Sequence, residues 1–191
     1  MEFKKRKQIR LKGYDYSQNG LYFVTVCTKD KQEILWKTDV GAGVPDSPFV
    51  KNENSNTLLC CSYDIKNICL SEYGQTIENQ ILIMNRIYED FQIIKYVIMP
   101  NHIHFILKID KKENVTKTGT SRTPSPTNSI LSSVVSTLKR FVNKKFGYNI
   151  FQRSSHDHII RNRKEYEIIV KYIQENPMKW EEDCLYTSNK E

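Results

Sequence analysis

Two apolar runs, Phe91–Met99 and His102–Asp110, meet at Pro100-Asn101, and this junction restricts the fold more than any other part of the chain. Each run has the length and the β-branched and aromatic content of a strand. A connection this short leaves the two strands antiparallel. Proline cannot adopt the positive φ of a primed two-residue hairpin, so the turn must be longer or differently shaped. Within the second run, His102 and His104 interrupt an otherwise apolar pattern, and they are two of only four histidines in 191 residues.

The other elements follow from periodicity. Leu21–Thr28 reads as a strand. Ile77, Ile81, Met84 and Tyr88 recur at steps of four, three and four, so about 72–88 reads as an amphipathic helix. Ile130, Leu131, Val134, Val135, Leu138, Phe141 and Val142 form a second helical stripe. A last helix starts near Arg163 or Lys164 and stops near Asn176, because Pro177 disfavours helix at the residue before it. The order strand, helix, strand, strand, helix, helix predicts an α+β fold: an antiparallel sheet with helices mainly on one face. A chain of this length is most simply one domain, residues 1–191. Two polar stretches, near 38–56 and 111–128, read as mobile connections.

Composition narrows the function classes. Apolar residues make up 39% and aromatics 11% of the chain, which argues against global disorder. A net charge of +7 suits a polyanionic partner. Cysteines 27, 60, 61, 69 and 184 show no C-x-x-C spacing, and an odd count suggests reduced thiols and a cytoplasmic setting. The start, MEFKKRKQIRLK, has charge without an apolar run behind it. No stretch nears the ~18 apolar residues of a membrane helix. The expectation is a soluble protein with no membrane partner.

In a strand, His102 and His104 face one side and lie about 6.6 Å apart, twice the rise per residue. Imidazoles converging from that distance can hold one cation; equally, they can be polar residues on the wet side of a sheet. His156 and His158, in SSHDHIIRN, read as a second pair or as a polar loop with a helix-initiating Asp157. Tyr172 and Asn176 are four apart and share a helical face. They read as a core tyrosine and a helix stop, or as a nucleophile and an amide ligand. A phenol is a poor nucleophile unless assisted, and a cation beside it would polarise a phosphodiester. A zinc hydrolase lacks a third ligand and a carboxylate base at the usual spacings.

Four stretches in one order carry a resemblance: RLKGYDYSQNGLYFVTVCT, MPNHIHFIL, FQRSSHDHIIRN-x-x-x-Y, and a single tyrosine in a helix of form K-Y-I-x-x-N-P. Together they resemble the HUH-class single-tyrosine transposases, and within them the REP-associated tyrosine transposases of bacteria. The resemblance covers about residues 9 to 180. It implies a ferredoxin-like sheet, a divalent ion (Mg2+ or Mn2+), and recognition of a hairpin in single-stranded DNA. His102 and His104 match the histidine pair, Tyr172 the nucleophile, and Asn176 a further polar ligand; Tyr166 falls on another side of the helix. Many relatives carry an aromatic residue before the Asp-His, where this chain has Ser155-His156, so no role is carried over to His156. Lys5, Arg6, Arg10, Lys139, Arg140, Arg153 and Arg161 are the expected phosphate contacts. The implied activity is metal-dependent nicking and rejoining of single-stranded DNA through a 5′-phosphotyrosine, by a cytoplasmic, nucleoid-associated protein, as a monomer or a homodimer. The alternative is a non-catalytic binding module for structured single-stranded DNA or RNA.

Overall fold

The computed structural model describes residues 14–37, 69–111 and 129–186. Lys5, Arg6, Arg10, Cys60, Cys61 and nearly all of both polar stretches lie outside them. The described elements are β1 (Gly20–Cys27), α1 (Glu72–Ile87), β2 (Phe91–Ile98), β3 (His102–Ile109), α2 (Ile130–Phe146), β4 (His156–Ile160) and α3 (Arg163–Glu175). A 3-10 segment, Asn176–Glu182, continues from α3. The strands form one antiparallel sheet in the order β2-β3-β1-β4. This is the ferredoxin-like α+β arrangement, with the histidine strand at an interior position.

β4 was not foreseen. SSHDHIIRN forms an edge strand in which Asp157 pairs with Val24, so Asp157 does not start a helix. The cap of α3 is Asn162, whose side chain accepts from the Glu165 N–H at 2.8 Å. Five residues with only two full apolar positions carry too little periodicity to reveal a strand. Tyr88 and Phe141 also depart from expectation. Tyr88 is the extended C-cap just past α1, Phe141 falls on the flank of its stripe, and both remain exposed.

The helices cover both faces, two on one and one on the other. Ile77, Ile81 and Met84 of α1 and Leu131, Val134, Val135, Leu138 and Val142 of α2 pack on Tyr22, Val24, Val26, Ile103, Phe105 and Leu107. Against the opposite face, Ile173 of α3 packs with Val97, Met99, Ile106 and Ile160. A bulge at Ile94 lets β2 serve both layers: it flips the alternation, so Phe91, Ile93, Tyr96 and Ile98 all join the α1/α2 core. Asn85 occupies the outer edge of β2 there, donating to Ile93 O at 2.9 Å and accepting from Ile93 N–H at 2.8 Å. An otherwise unpaired strand edge is thereby satisfied.

The Pro100-Asn101 turn has no positive φ. Met99 N–H donates to His102 O at 2.8 Å, while the Pro100 and Asn101 carbonyls turn outward to accept from Leu35 N–H and Thr28 N–H. The turn is therefore held by two other segments as well as by its own closing hydrogen bond. The carbonyl of Leu35 in turn takes the N–H of Ser71, the N-cap of α1. Gly74 sits against it so closely that a Cβ would lie 2.4 Å from that oxygen. Gly74→Ala should therefore lower the unfolding free energy by about 1–3 kcal/mol in chemical denaturation, in spite of alanine's better helix propensity.

Candidate functional site

The register of the central strands builds the floor of the site. Thr25 of β1 stands opposite His104 and Cys27 opposite His102. On the face covered by α3, the two histidines lie almost wholly inside, at 0% and 4% exposure. Their rings meet: His102 Nε2 and His104 Nε2 are 2.9 Å apart. His102 Nδ1 contacts Asn101 Oδ1 at 2.8 Å, and His104 Nδ1 contacts Thr25 Oγ1 at 2.8 Å. Phe23 stacks on His104 with ring centroids 5.1 Å apart, and Trp180 approaches His102 at 5.9 Å.

α3 delivers the tyrosine. Asn162 caps its first turn, and Glu165 reaches back to accept from Arg161 N–H at 2.7 Å, which fixes where the helix begins. Ten residues beyond the cap, Tyr172 Oη lies 3.2 Å from His104 Nε2 and donates to Asp183 Oδ2 at 3.0 Å. One chain thus brings Tyr172 and the histidine pair together. Tyr166, by contrast, packs into the apolar layer beneath α3. Tyr172 is 39% exposed and borders a cleft of about 330 Å3 shared with Glu175, Asn176, Lys179 and Asp183.

Asp183 is the residue that sequence reasoning missed. It closes the run Glu181-Glu182-Asp183, which looks like a solvated acidic stretch. Only the path of the chain after α3 returns it to the site. His102, His104 and Asp183 each offer a ligand atom within 4.8 Å of the others. Asn176, four residues after Tyr172, is 3% exposed, and its Nδ2 has no hydrogen-bond partner. Rotating the amide would present its oxygen at that orphaned position.

This donor set fits a divalent ion. Two neutral imidazoles, a carboxylate and an amide are suitable ligands for a first-row ion. The 2.9 Å between the two Nε2 atoms matches the ~3.0 Å between adjacent octahedral ligands at bonds of about 2.1 Å.

Electrostatics keep the donors available. Burial pushes the His102 imidazole down to about 4, and burial together with the neighbouring ring pushes His104 down to about 3. Both are neutral at pH 7 and can offer lone pairs. Burial works against ionisation of Asp183, but the Leu185 N–H, His102 and Tyr172 outweigh it and hold the carboxyl below its usual range. Burial, and after it the Asp183 charge and hydrogen bond, raises the Tyr172 phenol well above its usual value. The nucleophile candidate is therefore protonated as it stands.

Four of the basic candidates, Lys139, Arg140, Arg153 and Arg161, lie among the described residues. Arg153 and Arg161 lie at the two ends of β4 and Arg140 lies on α2; all three are exposed. Lys139 is a correction. Its ammonium donates to the carbonyls of Gln152 at 2.7 Å, Ser154 at 3.0 Å and Arg153 at 3.3 Å, and burial lowers it to about 8. It ties the approach to β4 onto α2 and is not available to a phosphate.

No family model matches the chain. A Haemophilus influenzae protein described as uncharacterized is 28% identical over 193 residues, spanning 95% of this chain and 93% of that one. A solved structure described as a REP-associated tyrosine transposase bound to a REP hairpin superposes with a TM-score of 0.50. It is 22% identical, over 90% of this chain and 73% of that chain. The two chains share a fold. Among the described residues, no helix is long and apolar enough to cross a membrane.

Two measurements check the electrostatic account. Unfolded imidazoles take up protons near pH 6.5, whereas His102 and His104 do so near 4 and 3. The unfolded state then binds more protons below 6.5, so this part of the stability is complete above pH 6.5 and is lost on acidification toward pH 4 and 3. Histidine NMR at pH 5 should show both rings neutral. Asp183→Asn removes the charge that helps keep Tyr172 protonated, so tyrosinate absorbance should show the Tyr172 phenol ionising at lower pH than in the unaltered protein.

Proposed function

We propose that this chain is a metal-dependent DNA strand transferase of the single-tyrosine type, acting on hairpin-bearing single-stranded DNA. The observation that carries this reading is the convergence, within one chain, of Tyr172 Oη on His104 Nε2 and on the carboxylate of Asp183. The fold shared with a hairpin-bound transposase supports the choice of substrate. The sequence resemblance supports the same assignment of Tyr172 and the histidine pair.

His102 and His104 would hold the ion, Mg2+ or Mn2+, with Asp183 and Asn176 as further ligands. Such an ion would polarise the scissile phosphodiester and neutralise charge developing on its oxygens. The protein's own groups do the rest. α3 carries Tyr172 to the mouth of the buried pair, so the phenol lies beside it before substrate arrives. Its oxygen attacks phosphorus, the bond to the 3′ oxygen breaks, and the products are a 5′-phosphotyrosine and a free 3′-OH. Asp183 Oδ2 already accepts the phenolic hydrogen and is placed to take it as the oxygen bonds to phosphorus, and passing it on to the departing 3′ oxygen gives the 3′-OH. Reversal by another 3′-OH rejoins the strand. No second subunit is needed to supply the tyrosine.

Incubated with a hairpin oligonucleotide and Mn2+ or Mg2+, the protein should form a denaturant-resistant adduct that maps to Tyr172. Tyr172→Phe should abolish the adduct, with cleavage down by about 10³-fold or more, and leave hairpin binding intact. A protein that binds hairpins but never forms the adduct with either ion would be the binding module instead. For the phosphate contacts, Arg161→Ala should weaken binding of unrelated hairpins to a similar extent and reduce the slope of log K against log salt by about 1.

A further inference from the structure

We propose that Thr25 and Asn101 are positioning residues that set the histidine pair unequally: His102 is locked in its ligand tautomer, and His104 must change tautomer to accept an ion. The inference rests on the reading of the pair as metal ligands.

The direction of each hydrogen bond follows from the one before it. Asn101 is 1% exposed, and its Nδ2 donates to Leu185 O at 2.9 Å. That fixes the amide, so Oδ1 faces His102 Nδ1 at 2.8 Å. An amide oxygen only accepts, so His102 Nδ1 carries hydrogen and its Nε2 is a bare lone pair. This lone pair meets His104 Nε2 at 2.9 Å. Two bare nitrogens at that distance would repel in a buried site. In the ion-free protein, therefore, His104 Nε2 carries hydrogen and donates to His102. His104 Nδ1 is then bare, and Thr25 Oγ1 at 2.8 Å donates to it.

The result is a one-way chain: Thr25 to His104, His104 to His102, His102 to Asn101, and Asn101 to the Leu185 carbonyl. Tyr172 agrees with it. Its hydroxyl donates to Asp183 and so leaves only its oxygen toward His104 Nε2, which is consistent with a hydrogen on that nitrogen. The lowered proton affinity of both rings agrees with two neutral imidazoles.

Taking up a cation needs both Nε2 lone pairs. His102 presents its lone pair already. His104 must move its hydrogen from Nε2 to Nδ1, and Thr25 must rotate from donor to acceptor. No net proton is gained or lost. A hydroxyl can reverse in this way and an amide held at both ends cannot, which is why the two supports differ in kind.

Nitrogen-15 NMR of the histidine rings tests the first half in the ion-free protein: His102 should be the Nδ1–H tautomer and His104 the Nε2–H tautomer. A diamagnetic ion, Zn2+, should convert His104 to Nδ1–H and leave His102 unchanged. Thr25→Val keeps the shape but removes the acceptor. Mn2+ affinity, read by electron paramagnetic resonance without any DNA, should fall about 10–100-fold, and Thr25→Ser should restore most of it. His104 found as Nδ1–H before any ion is added would overturn the proposal. So would Thr25→Val that binds Mn2+ as tightly as the unaltered protein. If the unaltered protein binds neither ion, the ligand reading falls and the switch with it, whereas ion binding insensitive to Thr25 removes the switch alone.

Discussion

Thr25 on β1 faces His104 because β1 and β3 run antiparallel in a register that also sets Cys27 opposite His102. That pairing makes the histidine strand interior rather than an edge, with β2 on its other side. It also lets one face of the sheet present His104, Thr25 and Phe23 together, while the other face is continuous with the α1/α2 core. The register is held at its end by the Asn101 carbonyl, which accepts from both Thr28 N–H and Thr28 Oγ1. A slip of one residue would turn both imidazoles into the apolar core.

Burying the histidine face is what gives it chemical character. If the sheet were open to water on that side, His102 and His104 would be ordinary surface imidazoles. α3 and the segment after it exclude solvent from the pair, and desolvation keeps both rings neutral. The same burial makes every unsatisfied nitrogen costly, on the order of 1–3 kcal/mol each. Each Nδ1 accordingly has a protein partner, Thr25 or Asn101. Asn176, with an orphaned amide at the same place, is the exception among these buried polar groups, and its position beside Tyr172 and Asp183 gives the exception a reason. Phenol, carboxylate and imidazoles then share one small volume in which the Asp183 charge acts on the phenol and on both rings.

Much of the architecture could be read along the chain. The helical stripes at Ile77–Met84 and Ile130–Val142 carry strong 3.6-residue periodicity, and Pro177 marks the end of α3, so these elements are legible from local rules. β4 was not, because HDHII alternates too briefly and too weakly against its polar surroundings. Phe141 was assigned to the core by its place in a stripe, although the stripe is wider than the contact it makes. Lys139 looked like one more surface cation. Its burial against three carbonyls depends on where residues 152–154 cross α2, which no local pattern records.

Spacing determined that His102 and His104 would share a face, and that Tyr172 and Asn176 would share another, because strand and helix periods are local properties of the backbone. Whether those two faces meet, and whether Asp183 joins them, was decided only by tertiary structure. Contacts between residues about seventy to eighty positions apart depend on the sheet order and on how α3 crosses it. They also depend on the turn that brings the chain back after Glu182. None of these leaves a periodic trace in the sequence. The unequal support of the two imidazoles is of the same kind: it depends on Leu185 orienting Asn101 and on Thr25 lying one strand away.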